Sequence, residues 1–261
     1  MQALVVTVSP AEVEVASDAP WGLGVVAVEE RVAGDLVELW TSLGDEPVQP
    51  ELPWPWRFET VDETVADTWR EFAEPIEVEA GLVVRPAWVS FEAPAGTTVL
   101  HIEPGATFGM GDHPTTVLCL RAVRRLVQPG CTVLDVGCGS GVLAVAAMVF
   151  GAGSAVGVDI APAAVPVTLA NAAANGVDVM VSTTDLADVA GEFIVVLANI
   201  LAPTLVALAA DLRRVLAPSG RLVISGILAD AHQHVLDALA PLVVEHTEEL
   251  DGWVAVTLRQ P

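Results

Sequence analysis

Val133-Leu134-Asp135-Val136-Gly137-Cys138-Gly139-Ser140-Gly141 is the run whose residue types and spacing can do chemistry. A short apolar strand that ends in Asp135 and turns through Gly137-x-Gly139-x-Gly141 lets the backbone approach a ligand with no Cβ in the way. The helix expected next points its free amides and positive dipole end at whatever sits there. A dinucleotide site would place its third glycine three positions after the second. That position is Val142, so the nicotinamide reading fails. The Gly-x-Gly-x-Gly spacing suits the amino-acid moiety of S-adenosylmethionine, from whose ammonium group Asp135 can accept directly or through water.

Two more polar residues fall where such a site needs them. Asp159 closes the next expected strand, one strand-helix-strand unit after the glycine turn, and a carboxylate there can accept both hydroxyls of a ribose. Taken alone it would read as a helix cap. Asn199, in Ala198-Asn199-Ile200-Leu201-Ala202, ends the fourth strand of the expected sheet. Ligands of open α/β sheets sit at the carboxyl ends of strands. Its amide carbonyl and a neighbouring backbone carbonyl can hold an amine by its hydrogens, with the lone pair turned toward a methyl donor. The plainer alternative is a turn or cap asparagine. His113 is a candidate base, although a loop histidine more often serves as a structural hydrogen-bonding group. His232-x-His234 resembles a metal pair, but residues two apart on a helix face different ways, and no metal site is expected.

Strands and helices must alternate to position these groups. Thr132–Val136, Ala155–Asp159, Asp178–Ser182, Ile194–Ala198 and Arg221–Ser225 read as strands. Val142–Phe150, Ala163–Asn175, Pro203–Leu216 and Ala229–Leu239 read as helices. This alternation predicts an α/β fold with a parallel sheet covered on both faces. Leu242–Leu250 and Trp253–Arg259 read as a hairpin through Asp251-Gly252, so the last strand should run antiparallel at or near the sheet edge.

The amino-terminal part is a small α+β module, with strands at Val5–Val8, Val25–Glu30, Leu36–Leu43 and Phe58–Val61 and a helix around Ala11–Asp18. The proline-dense Pro47–Trp56 reads as a turn or linker. Three segments are expected: a module at 1–61, a connecting helix (Asp62–Glu74) and linker at 62–96, and the main domain at 97–261. Strands at Gly81–Trp88 and Thr98–Ile102 should lead into that domain.

Composition narrows the partners. Against 34 acidic residues stand 11 basic ones, for a net charge of −23, and every basic residue is arginine. A phosphate-neutralising face needs clustered Lys and Arg, so nucleic-acid binding is not expected. An acidic surface steers basic partners, although solubility alone would also explain it. Cys119, Cys131 and Cys138 form no Cys-x-x-Cys pair and leave an odd count, which argues against a disulfide framework or a zinc site. Met1–Val5 shows no signal-peptide pattern, so the cytoplasm is the expected compartment. Val136–Val158 and Phe193–Ala210 carry no charge, but glycines break the first and Asn199 and Pro203 the second. Buried parallel strands account for both, and no membrane span is expected.

The run Ile102-Glu103-Pro104-Gly105-Ala106-Thr107-Phe108-Gly109-Met110-Gly111-Asp112-His113-Pro114-Thr115-Thr116, followed by the glycine turn, Gly157–Pro162, Ala170–Val177, Ala198–Ala202 and Ser225–Leu228, resembles the family of methyltransferases that act on large-subunit ribosomal protein eleven (PrmA). The resemblance spans essentially the whole chain, including Trp69, Pro86 and Trp88. It implies a class I methyltransferase domain, Rossmann-like, with a mixed sheet, behind a ferredoxin-like amino-terminal domain that recognises the substrate. It also implies that Phe108, Gly109, Thr115 and Thr116 help enclose the cofactor. By the same resemblance Asp185 contacts the adenine amino group and Asn199 orients a lysine or α-amino nitrogen. The chain departs from the family pattern at Met110, Asp112 and Ile194.

The expectation is therefore a monomeric protein N-methyltransferase. It would use S-adenosylmethionine, held by Asp135, Gly137, Gly139, Gly141, Asp159 and the residues just named, to modify a basic ribosomal protein. The alternatives are a related methyltransferase for another protein lysine or a small amine, and a non-catalytic assembly factor that keeps the cofactor pocket.

Overall fold

Period-two alternation in strands buried on both faces organises the larger part of the chain. The structure is a computed structural model that describes residues 2–19, 28–42, 50–60, 74–86, 88–103, 107, 109 and 111–261. It divides into two compact units, one of residues 1–73 with 106–108 and one of residues 74–105 with 109–261.

The first unit carries strands β1 (Gln2–Val8), β2 (Val28–Ala33), β3 (Leu36–Ser42) and β4 (Trp56–Thr60), with helix α1 (Val13–Asp18) after β1. The sheet order is β2-β3-β1-β4, with every pairing antiparallel. That is the strand order of a ferredoxin-like sheet; the described residues between β3 and β4, 50–55, contain no helix. Leu4, Val6, Val8 and Leu39 form its small core with Ala16 of α1.

In the second unit β5 (Ile76–Glu79), β6 (Leu82–Arg85) and β7 (Thr98–His101) form a three-stranded sheet. Residues 76–79 and 82–85 are thus strands of the second unit. Val78, Leu82 and Val84 are fully buried in the same core as helix α2 (Pro114–Leu126), because apolar strands of this length gain more by burial than by exposure. The expected helix 62–74 lies, but for its last residue, outside the described residues. No helix is expected at 114–126 from the sequence analysis, yet α2 is well formed. His113 caps it, Pro114 occupies its first position and Arg124 and Arg125 its last turn, the favoured residues at each end.

The main sheet has the order β10-β9-β8-β11-β12-β14-β13. Its strands are β8 (Thr132–Val136), β9 (Ser154–Val158), β10 (Met180–Ser182), β11 (Phe193–Asn199), β12 (Leu216–Leu228), β13 (Val243–Leu250) and β14 (Trp253–Arg259). The first five are parallel, and β14 lies antiparallel between β12 and the edge strand β13. Asp251 and Gly252 both take left-handed φ, 49° and 82°, as the expected tight hairpin requires.

Val133, Val195, Leu197 and Val223 point to one face, covered by α2 and α3 (Val142–Val149) together with Ala172 of α4 (Ala164–Ala174). Leu134, Val196, Ala198, Leu222 and Ile224 point to the other. That face is covered by α5 (Ala202–Ala207), α6 (Ala209–Arg214) and α7 (Gln233–Ala238). The helix expected at Pro203–Leu216 is two short ones with Leu208 between them. Leu205 and Leu212 are fully buried there, and each contributes about 1.5–3 kcal/mol by burial. No helix among the described residues is long and apolar enough to cross a membrane.

Strand order reverses between β8 and β11, and such a crevice at the carboxyl ends of the strands is where ligands of open α/β sheets bind. Two asparagines of α4 tie its rim together. Asn171, 2% exposed, accepts from the Glu103 amide and donates to the carbonyls of Glu103 and Ser140. Asn175 does the same for both backbone groups of His101. Asn171→Ala removes a partner from three backbone groups, the buried Ser140 carbonyl and the part-buried amide and carbonyl of Glu103, and a buried group left unpaired costs about 1–3 kcal/mol before water fills the space. We expect a loss of about 2–4 kcal/mol, read as a lower denaturation midpoint at unchanged slope. A midpoint within error of wild type would refute this role.

Candidate active site

The glycine turn is built by exclusion. Gly137, Gly139 and Gly141 have φ of 70°, 52° and 76°, the left-handed region that side chains disfavour. Two of them are also crowded. A Cβ on Gly137 would run into Ile200 Cγ2, and one on Gly141 would lie 2.5–2.9 Å from the side-chain atoms of Thr168. Gly109, φ 103°, is brought onto the same turn, where its carbonyl accepts from Ser140 Oγ at 2.6 Å. Phe108 and Met110 lie outside the described residues.

Asp159 closes the turn from the neighbouring strand. Its carboxylate accepts from the Gly139 amide at 2.8 Å and from the Ala161 amide at 2.9 Å. It is therefore not the cap of α4, whose N-cap is Ala163. A carboxylate has about four acceptor positions, so two bonds leave room for a diol. Asp185, past the end of β10, is exposed and caps a single 3-10 turn through the Ala187 amide. Its second oxygen has no bond recorded among the described residues.

Asp135 sits beneath the turn. Its side chain is 1% exposed and accepts from the Ala144 amide in the first turn of α3 at 3.1 Å. Burial pushes its carboxyl up to about 7, the Ala144 amide opposes that, and the Asp159 charge adds to it. Cys119 of α2 is pushed up to about 12 by burial and then by Asp135, while a hydrogen bond with Ser225 lowers it. Burial likewise raises the Cys138 thiol. Neither thiol is a nucleophile at neutral pH, because the reactive species is the thiolate.

Asn199 ends β11 opposite Ser225 of β12. The residue is half-buried, and its Oδ1 is buried with no hydrogen-bond partner among the described residues. A buried carbonyl without a donor costs about 1–3 kcal/mol, and such an oxygen at the mouth of a crevice is suited to an incoming N–H. Thr115 and Thr116 are each 1% exposed in the first turn of α2. Thr115 Oγ1 bonds His113 Nδ1 at 2.7 Å, whereas Thr116 Oγ1 is buried without a partner among the described residues.

His113 is a cap. Its Nδ1 accepts from the Thr115 amide, and its ring meets Trp253 edge-on with centroids 4.9 Å apart. Burial lowers its pKa against the pull of Asp112. His232 Nδ1 bonds the Ala229 carbonyl. Among the described residues no group of three His, Cys, Asp or Glu could hold a metal.

This arrangement can be set beside known proteins. A profile of the ribosomal protein L11 methyltransferase family (PrmA) matches residues 33–261. The chain belongs to this family. It is 48% identical over 176 residues to the ribosomal protein L11 methyltransferase of Geobacter metallireducens, a stretch covering 67% of this chain and 58% of that protein. The corresponding protein of Geobacter sulfurreducens is 43% identical over 209 residues, 79% of this chain and 70% of that one. The crystal structure of a ribosomal protein L11 methylase from Lactobacillus delbrueckii subsp. bulgaricus superimposes with a TM-score of 0.67 at 31% identity, covering 71% of this chain and 98% of that one. The main domain is therefore a class I methyltransferase fold, with its parallel strands and inserted antiparallel β14.

Several residues that build the family's glycine turn in this chain carry no role in the sequence analysis. Thr168 Oγ1 donates to the Gly139 carbonyl, and Ser140 Oγ accepts from the Val142 amide. Ile200, next to Asn199, lies between Gly137 of the turn and Gly226 of β12. Asn171 offered a signal, since a buried asparagine in an alanine-rich helix requires partners.

Asp135 supplies a test without cofactor. Its folded pKa lies above the ordinary 3.8, so the folded state holds the proton more tightly than the unfolded one. Its contribution to stability is whole below pH 3.8 and is lost as the pH rises through about 7. The melting temperature of wild type minus that of Asp135→Asn should fall across this window and level off above it. A difference independent of pH would exclude the buried, proton-binding Asp135.

Proposed function

We propose that this chain transfers methyl groups from S-adenosylmethionine to amine nitrogens of ribosomal protein L11, lysine side chains or the N-terminal amine. The observation that carries the reading is the buried, partnerless Oδ1 of Asn199 at the crevice beside the glycine turn. The alternative of a non-catalytic assembly factor gives that atom no task.

The residues present fit the cofactor. Gly137, Gly139 and Gly141 leave the turn bare for its amino-acid part, and Gly109 covers the turn from the other side. Asp159 keeps acceptor positions for the ribose hydroxyls, and Asp185 keeps one oxygen for the adenine amino group. Asp135 accepts from the Ala144 amide at the start of α3, and Thr115 and Thr116 of α2 are assigned to enclosing the site.

When bound, S-adenosylmethionine supplies a methyl group already activated by its sulfonium. The protein's share is then positioning. Asn199 Oδ1 accepts an N–H of the acceptor amine and so turns the nitrogen lone pair toward the crevice. His113 Nδ1 is engaged as a helix cap; the acceptor amine attacks as the free base, and the methylated ammonium then releases its proton to solvent. Residues 1–61 are assigned to reading the substrate. The net charge of −23 steers a basic partner, and the absence of lysine means the chain offers no lysine acceptor of its own.

The test is incubation with radiolabelled S-adenosylmethionine and ribosomal protein L11 lacking methylation, followed by mass spectrometry of the labelled protein. Label on L11 amines supports the reading, and no label on L11 overturns it. Asp159→Ala should weaken cofactor binding at least thirtyfold by calorimetry, since charged hydrogen bonds contribute about 1.5–3 kcal/mol each. Asn199→Ala should lower kcat about a hundredfold with cofactor affinity within about threefold of wild type.

A further inference from the structure

Ile200 follows Asn199 and is held between two glycines, Gly137 of the turn after β8 and Gly226 of β12. On one side its Cγ2 lies over Gly137, where a Cβ would overlap it. On the other, its backbone rests on Gly226, φ 85°, where a Cβ would lie 2.5 Å from the Ile200 carbonyl oxygen, 2.8 Å from its carbon and 3.0 Å from its nitrogen. The Ile200 amide donates to the Ser225 carbonyl at 3.2 Å, and Ser225 Oγ donates to the Val254 carbonyl of β14 at 2.8 Å. The β12–β14 register shifts between Ile224 and Ile227. That irregularity spans Ser225 and Gly226, and bulges of this kind re-aim groups beside active sites.

We infer that Gly226 and Ile200 are positioning residues: the bulge at Ser225–Gly226 sets the Asn199–Ile200 peptide, and the Ile200 side chain couples it to Gly137 of the cofactor turn. The inference rests on the transfer reaction proposed above and adds to it the device that aims Asn199. Backbone contact at Gly226 leaves no soft side chain to yield. Any residue larger than glycine there displaces the Ile200 backbone, and with it the adjoining Asn199, whose Oδ1 accepts from the acceptor amine. The three atoms nearest to a Cβ at Gly226 all belong to the Ile200 backbone, none to Gly137–Gly141 or Asp159.

The coupling separates kcat from cofactor binding. Gly226→Ala should lower kcat at least tenfold, because misplacement on the order of 1 Å costs up to about a hundredfold. Its dissociation constant for S-adenosylhomocysteine, measured by calorimetry, should stay within about threefold of wild type. Ile200→Ala, which strains no backbone, keeps the test open if Gly226→Ala does not fold, and should show the same split. Ile200→Val keeps Cγ2 over Gly137 and should restore most of kcat. Equal losses of kcat and binding, wild-type kcat in Ile200→Ala, or no rescue by valine would each overturn the coupling. A wild-type protein that binds S-adenosylhomocysteine yet methylates no L11 would instead refute the transfer reading, and the coupling with it.

Discussion

Two side chains crowd onto the backbone after β8, Ile200 over Gly137 and Thr168 against Gly141, and Ser140 of the turn crowds Gly109 likewise. Each approaches closer than a Cβ permits, so close approach rather than turn geometry alone demands glycine. The same crowding brings together elements distant in the chain. Thr168 and Asn171 hold α4 to the turn, Ser140 holds the Gly109 segment, and Asp159 holds β9 to Gly139. The crevice is thus shaped by polar side chains that are largely satisfied within the protein. Asn199 Oδ1 and Thr116 Oγ1 are left over, both on residues that the proposed reaction places at the ligand.

Electrostatics follow the same geometry. Two carboxylates flank the turn, Asp159 beside it and Asp135 beneath it, and Asp135 is buried with one amide donor and two thiols near it. Buried without a cation, that carboxyl holds its proton to an unusually high pH. Asp159, and Asp135 when it is ionised, make the potential above the turn negative. The amides at the start of α3 would by themselves attract an anion, but Asp135 and Ser140 already occupy two of them, Ala144 and Val142. The turn therefore differs from a phosphate cradle in sign as well as in glycine spacing.

Much of the main domain is legible from local pattern. The strand Thr132–Val136, the hairpin through Asp251-Gly252 and the helix after Gly141 lie where apolar runs and glycines place them. Helix α2 was harder to read because Thr115 to Leu120 are buried in unbroken succession, which blurs the 3.6-residue period. Its caps, His113 with Pro114 and the late arginines, were the usable signal. Strand β5 is marked only by the brief alternation Ile76-Glu77-Val78-Glu79, and the split at Leu208 has no comparable mark, since short elements are decided by the core they pack on.

Residue types and spacing alone determine the kind of site: a bare glycine turn, an acid one unit later and an amide at the end of the fourth strand. Those features are local, and local geometry follows from which φ values and hydrogen bonds each residue permits. Tertiary structure decides how the groups are used. It buries Asp135 against the first turn of α3, makes His113 a cap, and strips Asn199 Oδ1 of donors. It also places Gly226, far along the chain, under the Ile200 peptide. Such contacts depend on which strands lie side by side and in what register, and neither is written in the sequence near the glycine turn.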